Sequence, residues 1–299
     1  MKNKILITGA TGYIGSRLVG YLLKRGYEVS VTLRAGSDLT GLGGKVVEQN
    51  IITLYENETA ASLASRFCEL KPDLVVHLAS HYVSEHKLEH VESLIDSNVL
   101  FGSQLLEAMD RSSCKNLLNI GTSWQHYNNN VYEPVNLYSA TKQAFLDIAA
   151  YYHKARGFKI IDLKLFDTFG PNDSRKKLIP LLIKNLGLDT EIKLSPGEQH
   201  INLVFIDDVL NCLEMGVSRL LSESQNDMEE YMVSAESTIS IKELVKTIEK
   251  VSQKSLSVQW GANQYRNREV MRPWDRGLIL PGWSPKVSLE EGLQRVINC

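Results

Sequence analysis

Near its start the chain reads Lys4-Ile5-Leu6-Ile7-Thr8-Gly9-Ala10-Thr11-Gly12-Tyr13-Ile14-Gly15. A short apolar, β-prone run enters a glycine-rich turn, and helical spacing follows from Tyr13. G-x-x-G-x-x-G between a strand and a helix is the context that gives such glycines a purpose. Gly9 permits the tight turn, Gly12 lets backbone N–H groups approach a pyrophosphate, and Gly15 lets the helix lie close on the strand. The helix N-terminus then points its partial positive charge at phosphate. Gly9, Thr11, Gly12, Tyr13, Ile14 and Gly15 are therefore candidate cofactor-binding residues. The alternative is a glycine-rich turn with no ligand.

Working outward, short β-rich runs alternate with longer helical patterns as far as residue 165. Strands are predicted over 4–8, 28–33, 45–48, 74–78, 116–120 and 159–163, with helices over 13–25, 60–69, 88–109 and 138–156. Continuous apolar runs such as Leu74-Val75-Val76-His77-Leu78 suit strands covered on both faces. This is an α/β pattern, a Rossmann-type doubly wound parallel sheet. After Phe169-Gly170-Pro171 the pattern loosens into helical segments near 178–186, 208–220, 241–251 and 289–296. The expected organisation is a dinucleotide-binding domain over 1–170, also receiving part of 201–222, and a smaller substrate-binding lobe mostly over 171–299.

Composition excludes several alternatives. A net charge of -2 over 299 residues gives no electrostatic reason to expect nucleic acid or an acidic membrane as partner. The densest basic cluster, Arg175-Lys176-Lys177, reads as solvated. Four widely spaced cysteines lack zinc-ligand spacing and fit a reducing compartment, so no metal is expected. No stretch approaches the roughly 18 apolar residues a membrane span needs, and the first residues lack a signal-peptide cleavage region; a cytoplasmic location is expected.

The end of the second predicted strand bears on the choice of cofactor. An NAD site usually places Asp or Glu there to bind the ribose 2′-hydroxyl. Arg34 stands there instead and could pair with a 2′-phosphate, with Ser37 adding a hydrogen bond. NADPH/NADP is the expected cofactor; the competing readings are a solvated Arg34 and Asp38 acting as the acid. Further on, Thr122 and Ser123 follow the fifth strand, and Tyr138-Ser139-Ala140-Thr141-Lys142 opens a helix. Tyr138 and Lys142 stand at i and i+4 on one helical face. A buried ammonium near the phenol is expected to pull the tyrosine pKa down from its usual value near 10.

Together these features resemble the extended short-chain dehydrogenase/reductases, in the branch that acts on nucleotide sugars. The likeness is carried by Gly9/Gly12/Gly15, His77-Leu78-Ala79, Asn98, the strand-five hydroxyls and Tyr138/Lys142. It continues through Leu165-Phe166-Asp167-Thr168-Phe169-Gly170-Pro171, Val204-Phe205-Ile206-Asp207-Asp208-Val209, Arg272-Pro273-Trp274-Asp275 and Gly282-Trp283-Ser284-Pro285-Lys286. The resemblance implies that Tyr138 is the acid/base and that Lys142 binds the nicotinamide ribose and tunes Tyr138. A strand-five hydroxyl, Thr122 with Ser123 as rival, would hold the reacting oxygen. It further implies cofactor contacts from Leu78, Ala79, Ser80, Asn98 and Phe166, and substrate contacts from Ser123, Trp124 and Arg272, the last facing a pyrophosphate. His77 reads as a packed strand residue. His81 and Tyr82 read equally as pocket residues or as plain loop.

The chain also departs from that pattern. Ile201 stands where an arginine is usual, leaving His200 or Arg272 to substitute; Gln49-Asn50 replaces an aspartate; Asp167 and Phe169 replace Asn and Tyr. A 4,6-dehydratase needs acids directly after the threonine, where Ser123 and Trp124 stand. A 4-epimerase recycles a tightly held NAD and needs no 2′-phosphate site. The segment from Thr122 to Phe145 is most similar to 4-ketoreductases of activated deoxyhexoses. The expected activity is therefore NADPH-dependent reduction of the C4 ketone of a CDP- or dTDP-linked 4-keto-6-deoxy or 3,6-dideoxy hexose, as in O-antigen deoxysugar synthesis. The alternatives are a nucleotide-sugar 4-epimerase and a non-catalytic NADPH-sensing protein. In this family the helices predicted over 88–109 and 138–156 pair two copies, so a C2 homodimer is expected.

Overall fold

A computed structural model describes residues 2–44, 46, 50–54, 58–222 and 227–299. Its centre is a seven-stranded parallel sheet. In chain order the first six strands are β1 (Lys4–Thr8), β2 (Glu28–Arg34), β3 (Ile51–Leu54), β4 (Leu74–His77), β5 (Asn116–Thr122) and β6 (Lys159–Leu165). The helices between them are α1 (Tyr13–Lys24), α2 (Ala60–Leu70), α3 (Val91–Ile95), α4 (Phe101–Arg111) and α5 (Leu137–Arg156).

The C-terminal part supplies β7 (Asp167–Phe169), α6 (Leu178–Lys184), β8 (Ile192–Lys193), β9 (His200–Ile201), β10 (Leu203–Phe205) and α7 (Ile206–Leu221). It continues with β11 (Met228–Val233), β12 (Ile239–Ser240), α8 (Ile241–Ser252), β13 (Val258–Gln259) and α9 (Leu289–Ile297). The large sheet runs β11-β6-β5-β4-β1-β2-β3, and the pairs β10–β7, β12–β9 and β13–β8 form small two-stranded sheets. Strand order reverses between β1 and β4, and in such sheets ligands bind outside the carboxyl ends of the strands at that point.

Alternation along the strands sends neighbouring side chains to opposite layers. Ile5 and Ile7 of β1 join one buried cluster with Leu18 and Leu22 of α1 and Val209, Leu213 and Val217 of α7. Leu6 joins the other with Phe67 of α2, Leu105 and Met109 of α4, and Phe145 of α5. Among the described residues no helix is long and apolar enough to cross a membrane.

Three details refine the sequence reading. A strand lies at Ile51–Leu54, pairing Val31 with Ile51; of the strand expected over 45–48, Lys45, Val47 and Glu48 fall outside the described residues. The long helix expected over 88–109 is broken. A 3-10 turn at Leu88–His90 leads into α3, and a π-helical segment at Asp96–Leu100 separates α3 from α4. The wider i→i+5 turn accompanies a buried Asn98 whose side chain bonds the backbone of His81. Finally, β11, from the part assigned to the smaller lobe, is the seventh strand of the main sheet, paired in parallel with β6 from Met228–Ile160 to Val233–Leu165.

Candidate functional site

The carboxyl ends of β1, β4, β5 and β6 open onto a cleft with a cavity of about 340 Å³. At its β1 end, Gly9 has φ +69°, and a Cβ there would sit 2.7 Å from the backbone nitrogen of Ala79. A Cβ on Gly15 would come within 2.2 Å of the Gly9 carbonyl oxygen, so any side chain would push α1 off the strand. Gly12 caps α1 without a side-chain hydrogen bond, which leaves the first-turn N–H groups available to a ligand. These features fit a dinucleotide pyrophosphate. Gly170 meets this turn from the other side: a Cβ there would lie 2.7 Å from the Tyr13 hydroxyl and 2.5 Å from Ile206. Arg17 and Arg175 stack on the Tyr13 ring at 3.8 and 4.4 Å. Burial pushes the Tyr13 phenol up to about 12.

Arg34 is exposed at the end of β2. Its carbonyl accepts the Ser37 hydroxyl at 2.7 Å. Asp38, the alternative acid, is held by the backbone N–H of Thr40 at 2.9 Å and by the Thr40 hydroxyl. Those hydrogen bonds keep its carboxyl below the usual range.

The chemical end is built by α5. Asn136 caps that helix, accepting the Ser139 N–H at 3.0 Å and donating to the Ser84 carbonyl at 2.8 Å, so the first turn is pinned to the loop after β4. Tyr138 and Lys142 both line the cleft, together with Gly9, Gly12, Tyr13, Ile14, Gly15, Leu78, Ser80, Thr122, Ser123, Trp124 and Phe166. Thr122 Oγ accepts the N–H of Trp124 at 3.3 Å, which leaves its own proton to donate. Tyr82 packs edge-on against Tyr138 at 5.0 Å and lies tilted against Trp124 at 5.9 Å.

Ser80 lines the cleft with Tyr138 and donates to Asn98 Oδ1 at 3.1 Å. Asn98 in turn donates to Thr141 Oγ at 2.9 Å. Asn98 thus braces α5 and the β4 loop and, like Thr11, Ala79 and His81, is not among the cavity-lining residues. His77 is packed, as expected. It bonds Thr8 Oγ at 2.8 Å, and burial holds its ring pKa down near 3.

The electrostatics differ from expectation. Burial pushes the Tyr138 phenol up to about 12, rather than down. Burial likewise brings Lys142 down to about 8, with Asp162 opposing the shift and Lys164 reinforcing it. The reason is shared: Lys142 is 3% exposed, and removing water disfavours whichever form is charged.

Arg272 is exposed and does not line the cleft. His200, Arg175, Lys177, Arg266 and Glu269 do. Lys177, read as solvated, instead pairs with Asp167 at 3.1 Å. Arg266 forms a two-pronged pair with Glu269 at 3.0 and 2.6 Å and stacks over Trp124 at 5.2 Å. On the floor, Trp274 stacks on His126 at 4.0 Å and faces Phe166 at 6.4 Å.

Two other motifs prove to be joints. Buried Asp208 accepts the backbone N–H of Lys286 at 2.9 Å and of Val287 at 3.0 Å. Its carbonyl accepts the Trp283 indole N–H at 3.1 Å, so the Asp207-Asp208 and Gly282–Lys286 motifs hold each other.

This parallel sheet, with its glycine turn at the switch point of strand order, is that of a Rossmann-type dinucleotide-binding fold. Residues 5–226 match the model of the NAD dependent epimerase/dehydratase family. The chain belongs to that family. It is similar to the CDP-abequose synthase of Yersinia pseudotuberculosis, at 31% identity over 90% of this chain and 91% of that one. It also resembles the CDP-abequose synthase of Salmonella muenchen, at 24% identity over 100% of this chain and 98% of that one. Among solved structures, the UDP-glucuronic acid 4-epimerase of Bacillus cereus, in complex with UDP-glucuronic acid and NAD, shares the fold. The TM-score is 0.83 at 24% identity, over 99% of this chain and 98% of that one.

Proposed function

We propose that the chain reduces the C4 ketone of a nucleotide-activated 4-keto-6-deoxy or 3,6-dideoxy hexose, with NADPH as reductant and Tyr138 as proton donor. The observation that carries this reading is the set of groups around the reacting position. Tyr138, Thr122 and Lys142 line one cleft, while the two carboxylates that line it among the described residues, Asp167 and Glu269, are occupied by Lys177 and Arg266. No acid follows Thr122 to expel water, since Ser123 and Trp124 stand there. The likeness to chains named CDP-abequose synthase supports the same reading, and Arg34 in place of an acid supports NADPH over NADH.

NADPH, when bound across the glycine turn and α5, supplies the hydride. The protein supplies the proton. A phenol raised to about 12 is neutral at pH 7, the form a donor to a developing alkoxide needs. Thr122 donates a second hydrogen bond to the same oxygen, stabilising charge as it develops. Raising the phenol by this much disfavours its ionised form by roughly 3 kcal/mol.

Stopped-flow NADPH oxidation with CDP- or dTDP-linked 4-keto-6-deoxyhexoses tests the proposal. Wild type should oxidise one NADPH per ketone reduced, and Tyr138→Phe should bind NADPH normally but turn over roughly 10²–10⁴-fold more slowly. Interconversion of sugars without net NADPH loss would establish an epimerase. NADPH binding with no consumption on any keto sugar would establish a sensor.

A further inference from the structure

The turn after β5 and the helix bearing Tyr138 and Lys142 are joined through a buried side chain that does not line the cleft. Gln125 is 1% exposed. Its Oε1 accepts the backbone N–H of Thr122 at 3.0 Å, and its Nε2 donates to Gln143 Oε1 at 2.6 Å. Gln143 Nε2 then donates to Asp147 Oδ1 at 2.8 Å. The direction of this chain is forced from both ends. A backbone N–H can only donate and an ionised carboxylate can only accept, so each amide between them has one possible orientation.

Room for the chain comes from Gly121. A Cβ there would lie 3.0 Å from Gln125 Oε1 and 2.7 Å from Asp162 Oδ2. The backbone of the turn is anchored as well, because the Gln125 carbonyl accepts the Glu133 N–H at 2.9 Å. Thr122 and Tyr138 come from different elements, so their relative placement depends on what ties those elements together at this end of the sheet.

We propose that Gln125 is a positioning residue that holds Thr122 in register with Tyr138 and Lys142, so that both hydroxyls meet one substrate oxygen. Its catalytic consequence rests on the ketone-reducing reading; the clamp itself does not. A misplacement of about 1 Å is enough to cost roughly 10²-fold in rate.

Three variants read the clamp. Gln125→Leu removes it at the centre. Gln143→Lys keeps an ion pair with Asp147 on the helix surface but presents a donor to a donor. Gln143→Glu combined with Asp147→Asn preserves the direction, since the carboxylate introduced at position 143 can accept from both neighbours. Gln125→Leu and Gln143→Lys should lower turnover at saturating substrate, Gln125→Leu by roughly 10- to 100-fold. KM and NADPH affinity should stay within about twofold, as expected when only transition-state placement is lost. Both variants should also speed deuterium uptake around Thr122, measured by mass spectrometry, and the double variant should match wild type in rate and uptake.

Wild-type turnover and uptake in Gln125→Leu would overturn the proposal, as would identical behaviour of Gln143→Lys and the double variant. If Gln125→Leu does not fold, the Gln143 variants decide, because they sit on the helix surface. If wild type consumes no NADPH with any keto sugar, the proposed function falls and uptake alone decides the clamp. Faster exchange at Thr122 in Gln143→Lys but not in the double variant upholds it; equal exchange overturns it.

Discussion

Replacing Lys142 by methionine should make the ligand-free protein more stable while disabling it. The Lys142 side chain is 3% exposed, and burial lowers its pKa from 10.5 to about 8. Holding it charged at pH 7 is therefore unfavourable by roughly 3 kcal/mol relative to the unfolded chain. Methionine fills similar volume without the charge, so Lys142→Met should gain up to about 3 kcal/mol, or roughly 6 °C at about 2 °C per kcal/mol for a chain of this size.

The pH dependence has a definite sign. Below about pH 8 the lysine is protonated in both states and the penalty is complete. Between about 8 and 10.5 the unfolded chain binds the extra proton, so wild-type stability rises with pH and the gap to the variant closes. By pH 9.5 it should have fallen to about 1 kcal/mol. Urea denaturation of both proteins at pH 7 and 9.5, without cofactor, measures both quantities. A variant less stable than wild type at pH 7, or a gap that ignores pH, would refute the reasoning. The same variant should lose NADPH affinity and turnover together.

Arg34→Asp should narrow or reverse a preference for NADPH over NADH that is at least tenfold in wild type; titration of both cofactors checks it, and equal wild-type affinities would count against Arg34. Thr122→Val should slow turnover more than Ser123→Ala, because Thr122 Oγ already accepts the Trp124 N–H and keeps its proton for the substrate; the opposite order in single-turnover assays would exchange the two roles. Asp208→Ala should lower stability by roughly 2–4 kcal/mol by stranding two backbone N–H groups, with NADPH affinity little changed in the variant that remains folded. A homodimer through α5 and the helical stretch from α3 to α4, where Ile95, Leu100 and Tyr151 are exposed, should give twice the monomer mass in light scattering at micromolar concentration.

Local physics makes much of this protein legible in its sequence. The β1 turn needs glycine at 9, 12 and 15 because backbone meets backbone there, and that demand is written within twelve residues. Tyr138 and Lys142 share a helical face by spacing alone, and alternation of apolar residues announces strands covered on both sides. Other features depend on partners far away in the chain. β11 joins the sheet because its register matches β6, almost seventy residues earlier, and nothing within 228–233 says so. Arg266 and Glu269 reach the cleft from a loop without periodicity, and Lys177 pairs with Asp167 because β7 and the start of α6 converge. Desolvation is the sharpest case. The residue types and spacing raised the expectation of a depressed phenol, but the packed surroundings of Tyr138 set its pKa, and they push it upward. A sequence records which groups are charged or apolar; how much water each one loses is decided only when the whole chain has closed around it.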